Sequence, residues 1–531
     1  MAENASSAEQ VYNVSIRVLV EKGKNKVVYA EAGKDFVDVL FSFFTLPLGT
    51  IARLVAKEDS NIKAVRFGSI SSLYQSVSDL DEQYLWSKTC KEMLLKPRNS
   101  SGNRCKSMKQ NIDDTEPLMS YFVCQRDRCK VENCVSYFRN QTCIACGGPL
   151  DRVKTFNLRE HNGFVKQTST FIVSDDLFVM PNIIGTSLNL LKKHEINSFD
   201  TIDKQIIIDL LKLSLVSKTP LSDFILKKEQ NVYNLDTRNR LGVLSGEEKE
   251  QSDKMVVKVV RRKSNEQILF VEAEQDFADF IFSFLTFPLG GVLHMLQGFS
   301  FLCCIDNLYN SMTELSPDRC FSSQEVKDLL TNPPISEQLE LKNQLLPIPN
   351  ENYKENNKSF KFVDPKSPIT GGFAIAQTFM VTDDLVVTPM SSIDGISIIE
   401  RMKAPLNDVE EIVINIGQKE GLSILEASLS STSVLTNGLK QYIVLAAEQG
   451  DKVTLRVIVD KERNQVVYAE AGKDFVDVLF SFLTFPLGTI ARLIAEESNI
   501  EPVRFGSLSS LYQSVSDLDQ QHLWSQLLNV P

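Results

Sequence analysis

One segment of the chain occurs three times, and this repetition constrains the fold more than any other feature. Residues 27–43 and 466–482 share the sequence VVYAEAGKDFVDVLFSF, and residues 268–284 carry a diverged copy, ILFVEAEQDFADFIFSF. Each copy begins with alternating apolar residues, which predicts a β-hairpin, and continues with apolar residues at helical spacing. We call this hairpin-plus-helix repeat the A unit.

A second repeat, the B unit, occurs twice, as FIVSDDLFVMP and FMVTDDLVVTP. Its Asp175-Asp176 and Asp383-Asp384 pairs lie between short apolar runs, as turn residues do, and cation binding is the alternative interpretation. The predicted fold class is α+β, with tandem β-hairpin-plus-helix units in A-B-A-B-A order. A small cysteine-rich, zinc-knuckle-like insert interrupts this order.

The repeats and the composition between them divide the chain into eight segments. Stretches rich in polar, charged, Asn or Pro residues predict the linkers. The predicted segments are 1–96 (first A unit), 97–159 (linker and cysteine-rich insert), 160–230 (first B unit), 231–253 (linker), 254–331 (second A unit), 332–369 (polar linker), 370–440 (second B unit) and 441–531 (third A unit). No B unit follows the third A unit.

Five of the ten cysteines fall within 23 residues, in CQRDRCKVENCVSYFRNQTCIAC. A Cys-x2-Cys turn followed by two glycines suits two thiolate ligands, and two more sulfurs complete a tetrahedral zinc shell. We predict Cys124, Cys129, Cys143 and Cys146 as ligands of one structural zinc ion, with Cys134 as the substitute for Cys129. Reduced thiols without metal and disulfides are the alternatives, and disulfides are disfavoured in a reducing compartment.

The net charge and the hydropathy of the chain bear on its partners and on its location in the cell. It carries 57 Lys and Arg against 68 Asp and Glu, a net charge of −11, which disfavours nucleic acid as a partner. The N-terminal residues lack the apolar core of a secretory signal, and the most apolar stretch, 39–52, is shorter than the roughly 20 residues that span a bilayer. We expect an intracellular protein without a membrane span, in the cytoplasm, with the nucleus left open.

Nucleic-acid binding through the cysteine insert needs a basic face there. The basic residues of this region are Arg126, Arg128, Lys130, Arg139 and Arg152. Basic residues at loop tips are common in any protein, so nucleic-acid binding is the weakest of the functional hypotheses that the sequence allows.

Several of these motifs occur together in one family. The segments YFVCQRDRC, CIACGG, SDDL, TDDL, KDFVDVLFSFLTFPLG and SKTPLSDFIL resemble the plant-specific family catalogued as domain of unknown function 674. The resemblance implies tandem A and B units with a zinc-knuckle-like insert, and it implies no activity or ligand. The third A unit without its B unit departs from that pattern.

Repeated carboxylates are the candidates for acid–base chemistry. They are Glu31, Asp35, Asp38, Glu272, Asp276, Asp279, Glu470, Asp474 and Asp477. Capping of the helix N-terminus explains Asp35 and Asp38, and no histidine recurs beside them. We therefore predict neither catalytic nor cofactor-binding residues apart from the zinc ligands.

The phenylalanines of the first A unit predict a core, with a ligand pocket as the alternative. They are Phe36, Phe41, Phe43 and Phe44. A lone third A unit would expose its apolar face, so we expect a protein partner or self-association. The predicted function is a non-enzymatic scaffold or interaction module. The alternative is an enzyme or small-molecule binder with a site between A and B units that includes Glu31 or Glu272.

Overall fold

The structure, a computed structural model, is a mixed α and β fold with several sheets. It describes residues 14–21, 25–58, 62–115, 120–126, 129, 134–139, 141–155, 163–183, 195–202, 204–226, 254–350, 354–355, 358–359, 361–449, 455–460 and 465–471. The chain forms two compact units, Met1–Val444 and Leu445–Pro531.

Nineteen strands lie in the described residues. They are β1 Val14–Glu21, β2 Lys26–Ala32, β3 Ser120–Cys124, β4 Cys134–Ser136, β5 Gln141–Thr142, β6 Pro149–Thr155, β7 Phe171–Ser174, β8 Val179–Pro181, β9 Glu195–Ile202, β10 Met255–Arg262, β11 Ile268–Ala273, β12 Lys354–Glu355, β13 Lys358–Ser359, β14 Lys361–Phe362, β15 Phe379–Thr382, β16 Val387–Pro389, β17 Val409–Ile416, β18 Leu455–Asp460 and β19 Gln465–Ala471.

Fifteen α-helices lie in the same residues. They are α1 Lys34–Ser42, α2 Leu48–Val55, α3 Ile70–Asp79, α4 Lys88–Leu95, α5 Gly102–Lys106, α6 Lys204–Val216, α7 Pro220–Ile225, α8 Gln275–Ser283, α9 Leu289–Met295, α10 Cys303–Glu314, α11 Pro317–Cys320, α12 Gln324–Thr331, α13 Ser392–Arg401, α14 Gln418–Ser430 and α15 Val434–Gln449.

Two five-stranded sheets with the same strand order organise the first unit. Their orders are β8-β7-β2-β1-β9 and β16-β15-β11-β10-β17. In each sheet an A-unit hairpin pairs with a B-unit hairpin, since β2 is antiparallel to β7 and β11 is antiparallel to β15. Each A unit and the B unit after it therefore contribute to one sheet.

The first A and B units form one half of this unit, and the second A and B units form the other half. A helix of each half packs on a strand of the other half. Ser76 of α3 donates to the Val387 carbonyl of β16 and accepts from the Val387 amide, both at 2.8 Å. At the matching position of the second half, Ser311 of α10 accepts from the Val179 amide of β8 at 3.0 Å. Hydrogen bonds between buried groups fix this arrangement, so the two halves are interleaved.

The two A units also contact each other directly. Leu48 donates its amide to the Phe287 carbonyl at 2.9 Å, and Leu289 donates to the Leu46 carbonyl at 3.0 Å. The two hydrogen bonds are reciprocal, as in an isologous interface between identical subunits. The first unit therefore has an internal pseudo-two-fold relation between its A units.

The four phenylalanines predicted as core are buried, with at most 1% of each exposed. Parts of the stretches predicted as linkers are buried as well. In the stretch 97–159 Cys105 and Ile112 are buried, and in the stretch 332–369 Ile335 and Leu346 are. Apolar residues at intervals in a polar stretch suffice to pack it against a core. No helix in the part of the chain that the structure describes has the length and hydropathy of a membrane span.

The third A unit begins with the hairpin β18–β19, which forms a two-stranded sheet. The helices predicted after it, and the linker predicted at 231–253, lie outside the described residues.

Candidate metal centre

The four cysteines predicted as ligands lie together. The Sγ atoms of Cys124, Cys129, Cys143 and Cys146 are all within 4.8 Å of one another, and this group could hold a metal ion. The first three side chains are buried and that of Cys146 is half-buried. It is the one group of three or more such donors among the described residues.

Tight turns aim backbone amides at two of the sulfurs. The Arg126 amide donates to Cys124 Sγ and the Gly148 amide donates to Cys146 Sγ, each at 3.4 Å. In the second turn Gly147 has a φ of +67°, which favours glycine, and its amide donates to the Cys143 carbonyl at 2.8 Å. Amides directed at sulfur stabilise thiolates, the form of cysteine that binds metal.

The backbone amides and the neighbouring thiols shift the pKa values of the cysteines in opposite directions. The Gly148 amide, with the thiols of Cys129 and Cys124, lowers the pKa of Cys146 to about 7. Cys146 and the burial of the cluster raise the pKa of Cys129 to about 12. Four sulfurs this close cannot all be anionic without a cation among them, since like charges at short range repel.

The cluster adjoins a sheet that both halves of the chain build. This sheet has the order β14-β4-β3-β6-β5, and β14, which follows the second A unit, is parallel to β4 of the cysteine insert. Leu150 and Val363 pack with the cysteines in one small hydrophobic cluster. The Val363 amide donates to the Val135 carbonyl at 2.8 Å. The predicted polar linker therefore supplies a strand to the sheet of the candidate metal centre.

A glutamine from the same linker holds the insert. Gln338 is buried, its Oε1 accepts from the Tyr137 amide at 2.9 Å, and its Nε2 donates to the Val363 carbonyl. The rings of Tyr137 and Phe362 stack at 4.6 Å between centroids. Sequence reasoning missed this contact because the partners are about 200 residues apart.

The remaining cysteines are not part of this group. Cys134, the predicted substitute ligand, lies in β4 and is buried, and the structure places Cys129 with the other three sulfurs in its stead. Cys304 is buried, and Cys303, the first residue of helix α10, is exposed.

Two of the basic residues of the insert have contacts within it. The guanidinium of Arg139 lies 5.7 Å from the centre of the Phe122 ring, and Arg126 lies against Gly148. Arg128 and Lys130 lie outside the described residues.

Asp38, one of the repeated carboxylates, is a buried acceptor, and its interpretation as a helix cap is wrong. Asp38 Oδ1 accepts from the Phe164 and Val165 amides at 2.8 and 2.9 Å, and Oδ2 pairs with Lys34. The cap position of α1, Gly33, has no side-chain hydrogen bond. Capping failed as an explanation because the free donors lie 126 residues away.

We call this arrangement, in which a helix aspartate accepts from two consecutive backbone amides of a distant loop, an amide clamp. The second half has the same clamp without the lysine. Asp279 accepts from the Phe373 and Ala374 amides at 2.7 and 2.8 Å, and Gln275 stands where the first half has Lys34. Burial raises the pKa of Asp279 to about 7 against the pull of these amides. A Cβ at Gly372 would lie 1.7 Å from Asp279 Oδ2, so the clamp requires glycine there.

The other repeated carboxylates have structural partners too. Asp35 forms an ion pair with Lys109 at 2.5 Å, and Asp276 accepts from the Phe277 amide in the first turn of α8 at 2.8 Å. Glu470 lies on β19, whereas Asp474 and Asp477 lie outside the described residues.

The carboxylates proposed for a pocket between A and B units form cross-strand ion pairs. Glu31 pairs with Arg17 at 3.5 Å, and Glu272 pairs with Lys258 at 3.2 Å. Such pairs are ordinary features of antiparallel sheets.

The Asp pairs of the B units lie in turns, as predicted. The first aspartate of each pair also holds the start of a later helix. Asp175 accepts from the Ser222 amide and hydroxyl at 2.7 Å each, and Asp383 accepts from the Thr436 amide at 2.8 Å and its hydroxyl at 2.9 Å. The first turn of a helix has free amides, which explains these bonds.

A family model described as protein of unknown function (DUF674) matches residues 10–437 and 449–528. The chain belongs to this family. The two matched segments of DUF674 leave out only short parts of the chain, so the family covers both described units. No curated protein and no solved structure matches the chain.

Proposed function

We propose that this DUF674 protein is a non-enzymatic scaffold or protein-interaction module in which Cys124, Cys129, Cys143 and Cys146 bind one structural zinc ion. The observation that supports it is the closed set of four sulfurs within 4.8 Å. Four protein ligands leave no open position for a substrate or water, which is the arrangement of structural rather than catalytic zinc.

The donor chemistry favours zinc over other metals. Thiolate sulfur is a soft ligand, and a tetrahedral set of four is the common shell of structural zinc, with iron as the main competitor. The Arg126 and Gly148 amides that donate to sulfur would remain compatible with a bound ion, because each sulfur keeps further lone pairs.

The metal would stabilise the join between the two halves. The small cluster that contains the four cysteines also contains Val363, which follows β14. An ion that fixes the cysteine turns would therefore also fix the docking surface of β14, and metal binding would add to folding free energy. In this proposal the A and B units are tandem hairpin-plus-helix units, in A-B-A-B-A order, that present a repeated surface to a protein partner.

The test is native mass spectrometry of the purified, reduced full chain combined with elemental analysis. The expected result is one zinc per chain and a lower thermal unfolding midpoint after chelation. Metal-free protein that is fully folded would overturn the zinc proposal, and stoichiometric iron would correct the metal.

Matched serine variants locate the site. Cys143→Ser should lose the metal, and Cys303→Ser, at an exposed cysteine outside the cluster, should keep it. Equal metal content in the two variants would contradict the assignment.

Capture of a stoichiometric protein partner from native extract tests the scaffold proposal. A chain that recovers no partner and remains monomeric would count against that proposal.

A further inference from the structure

The four sulfurs of the candidate metal centre differ in their access to solvent. Cys124, Cys129 and Cys143 are buried, at 6%, 7% and 1% exposed, whereas Cys146 is half-buried. The susceptibility of a cysteine to oxidation follows its exposure and its thiolate character. A small oxidant in solution therefore reaches Cys146 Sγ before the other three sulfurs.

A second sulfur lies beside Cys146. Cys124 Sγ is 3.5 Å from Cys146 Sγ, and the two residues come from different elements, the end of β3 and the turn before β6. The Arg126 amide donates to Cys124 Sγ, and the Gly148 amide donates to Cys146 Sγ. Amides directed at sulfur favour the thiolate, which is the form that attacks oxidised sulfur. The pair therefore has the proximity and the hydrogen bonds that favour disulfide formation.

We propose that Cys146 and Cys124 form a peroxide-reactive site, at which oxidation to a disulfide releases the metal ion. This inference rests on the proposed zinc site and adds to it a regulator of stated chemistry, a hydroperoxide. A disulfide between these residues leaves Cys129 and Cys143 as the remaining thiolates. Two thiolates are too few for the four-ligand shell of structural zinc.

The reaction consists of two displacements at sulfur and oxygen. The Cys146 thiolate attacks one oxygen of hydrogen peroxide, so that an S–O bond forms, the O–O bond breaks and hydroxide leaves. The Cys124 thiolate then attacks Cys146 Sγ, so that the S–S bond forms, the S–O bond breaks and a second hydroxide leaves. The two sulfurs lose two electrons, which reduce the peroxide, and the buffer protonates both hydroxides to water.

Oxidation of this pair affects the docking of β14, the strand that follows the second A unit. Cys124 is the last residue of β3, β3 pairs with β4, and β4 pairs with β14. Val363 packs in the small hydrophobic cluster of the cysteines and donates its amide to the Val135 carbonyl. Because metal binding and folding are coupled, movement of Cys124 and loss of the ion together loosen this docking.

The experiment treats the purified, reduced full chain with stoichiometric hydrogen peroxide. A Cys303→Ser background removes an exposed cysteine outside the group. We expect one disulfide per chain, which peptide mapping assigns to residues 124 and 146, and one zinc ion released to a chromogenic chelator. Dithiothreitol with added zinc should reverse both changes. Brief exposure in the presence of dimedone, which traps sulfenic acids, should label Cys146 before the other three ligand cysteines.

The outcomes separate the peroxide-reactive site from the zinc site. A zinc-loaded chain that forms no disulfide and keeps its zinc would overturn the inference and leave the zinc proposal standing. A disulfide between residues 143 and 146 would overturn the role of Cys124. Labelling of a buried ligand cysteine before Cys146 would contradict the order of attack. A chain without metal before peroxide is added would contradict the zinc proposal and, with it, the release step.

Hydrogen exchange read by mass spectrometry tests the effect on β14. After oxidation the Val363 amide should exchange about tenfold faster, because its hydrogen bond to Val135 opens more often. The Val387 amide, which donates to Ser76 in a contact away from the cysteine insert, is the matched control and should keep its rate. Equal exchange of Val363 before and after oxidation would overturn the effect on β14, and faster exchange of both amides would indicate general unfolding instead.

Discussion

The two halves of the first unit contain the same amide clamp with different residues beside the buried carboxyl group. In the first half Asp38, with Lys34 beside it, accepts two loop amides; in the second, Asp279 accepts the matching amides beside Gln275. Burial raises the pKa of both carboxyl groups, and in the first half Lys34 opposes this effect. The amide clamp therefore depends on hydrogen-bond geometry, and the two halves keep it with different neighbours beside the carboxyl group, Lys34 in the first and Gln275 in the second.

Both clamps join an A-unit helix to the loop that leads into the B-unit strands. The acceptors lie on α1 and α8, and the donors precede β7 and β15. A buried amide without an acceptor costs free energy, so each clamp favours one docking position of the loop. The clamps thus fix how an A unit and the B unit after it share a sheet.

The largest expected effect comes from breaking the first clamp. Asp38→Ala leaves two amides and the Lys34 ammonium buried without an acceptor, which should cost about 3–5 kcal/mol, the range for an uncompensated buried charge. Asp279→Ala leaves two amides but no charge, and should cost about 1–3 kcal/mol. Urea unfolding of the two variants measures the difference.

The control for this comparison is Asp35→Ala, which removes a half-exposed ion pair with Lys109 and should cost well under either value. Equal losses for Asp38→Ala and Asp279→Ala would mean that Lys34 carries no buried charge in the folded protein. A loss for Asp38→Ala no larger than that for Asp35→Ala would contradict the clamp itself.

The clamps also mark a limit of sequence reasoning. Apolar periodicity predicts the hairpins and helices of the A units, because each spacing is local and one face is buried. The acceptor role of Asp38 depends on Phe164 and Val165, which no local pattern joins to it. A signal was available: the dipeptide Gly-Phe precedes the B-unit strands in both halves, at Gly163 and Gly372, where a side chain would collide with the carboxylate.

The candidate metal centre shows the same division between local and distant information. Turn spacing and paired glycines bring Cys143 and Cys146 together, so the cysteine group follows from the sequence. The strand β14 does not, because it has only two residues and pairs in parallel with a strand more than 200 residues earlier. Short parallel pairings have no sequence pattern of their own.

A lysine at position 275 should give Asp279 the counter-ion that Lys34 gives Asp38 in the first half. The pKa of Asp279 is about 7 in the folded protein against an ordinary value of 3.8, so the folded state binds more protons between these values. The free energy of unfolding therefore falls as pH rises from about 4 to about 7. Gln275→Lys supplies the counter-ion, lowers that pKa, and should stabilise the protein by about 1–2 kcal/mol at about pH 8 relative to about pH 5.

The measurement is urea unfolding of Gln275→Lys and the parent chain at both pH values. Asp306 and Asp383, whose pKa values burial raises to about 6, add to the slope of both proteins, so the difference between the proteins isolates Asp279. Gln275→Met fills similar volume without charge and serves as the control. A variant with the pH slope of the parent would show that Asp279 does not titrate in this range.

The smallest expected effect concerns the cross-strand ion pairs at matching positions of the two hairpins. Glu272 shares Lys258 with Glu411 of β17, whereas Glu31 has the exposed Arg17 as its partner. Glu272→Gln and Glu31→Gln should each cost less than about 1 kcal/mol, with the larger loss for Glu272, whose lysine lies between two strands. Urea unfolding at low and high salt is the test, because salt screens exposed pairs and should shrink both losses. Losses that persist unchanged in high salt would indicate a role for these carboxylates other than surface pairing.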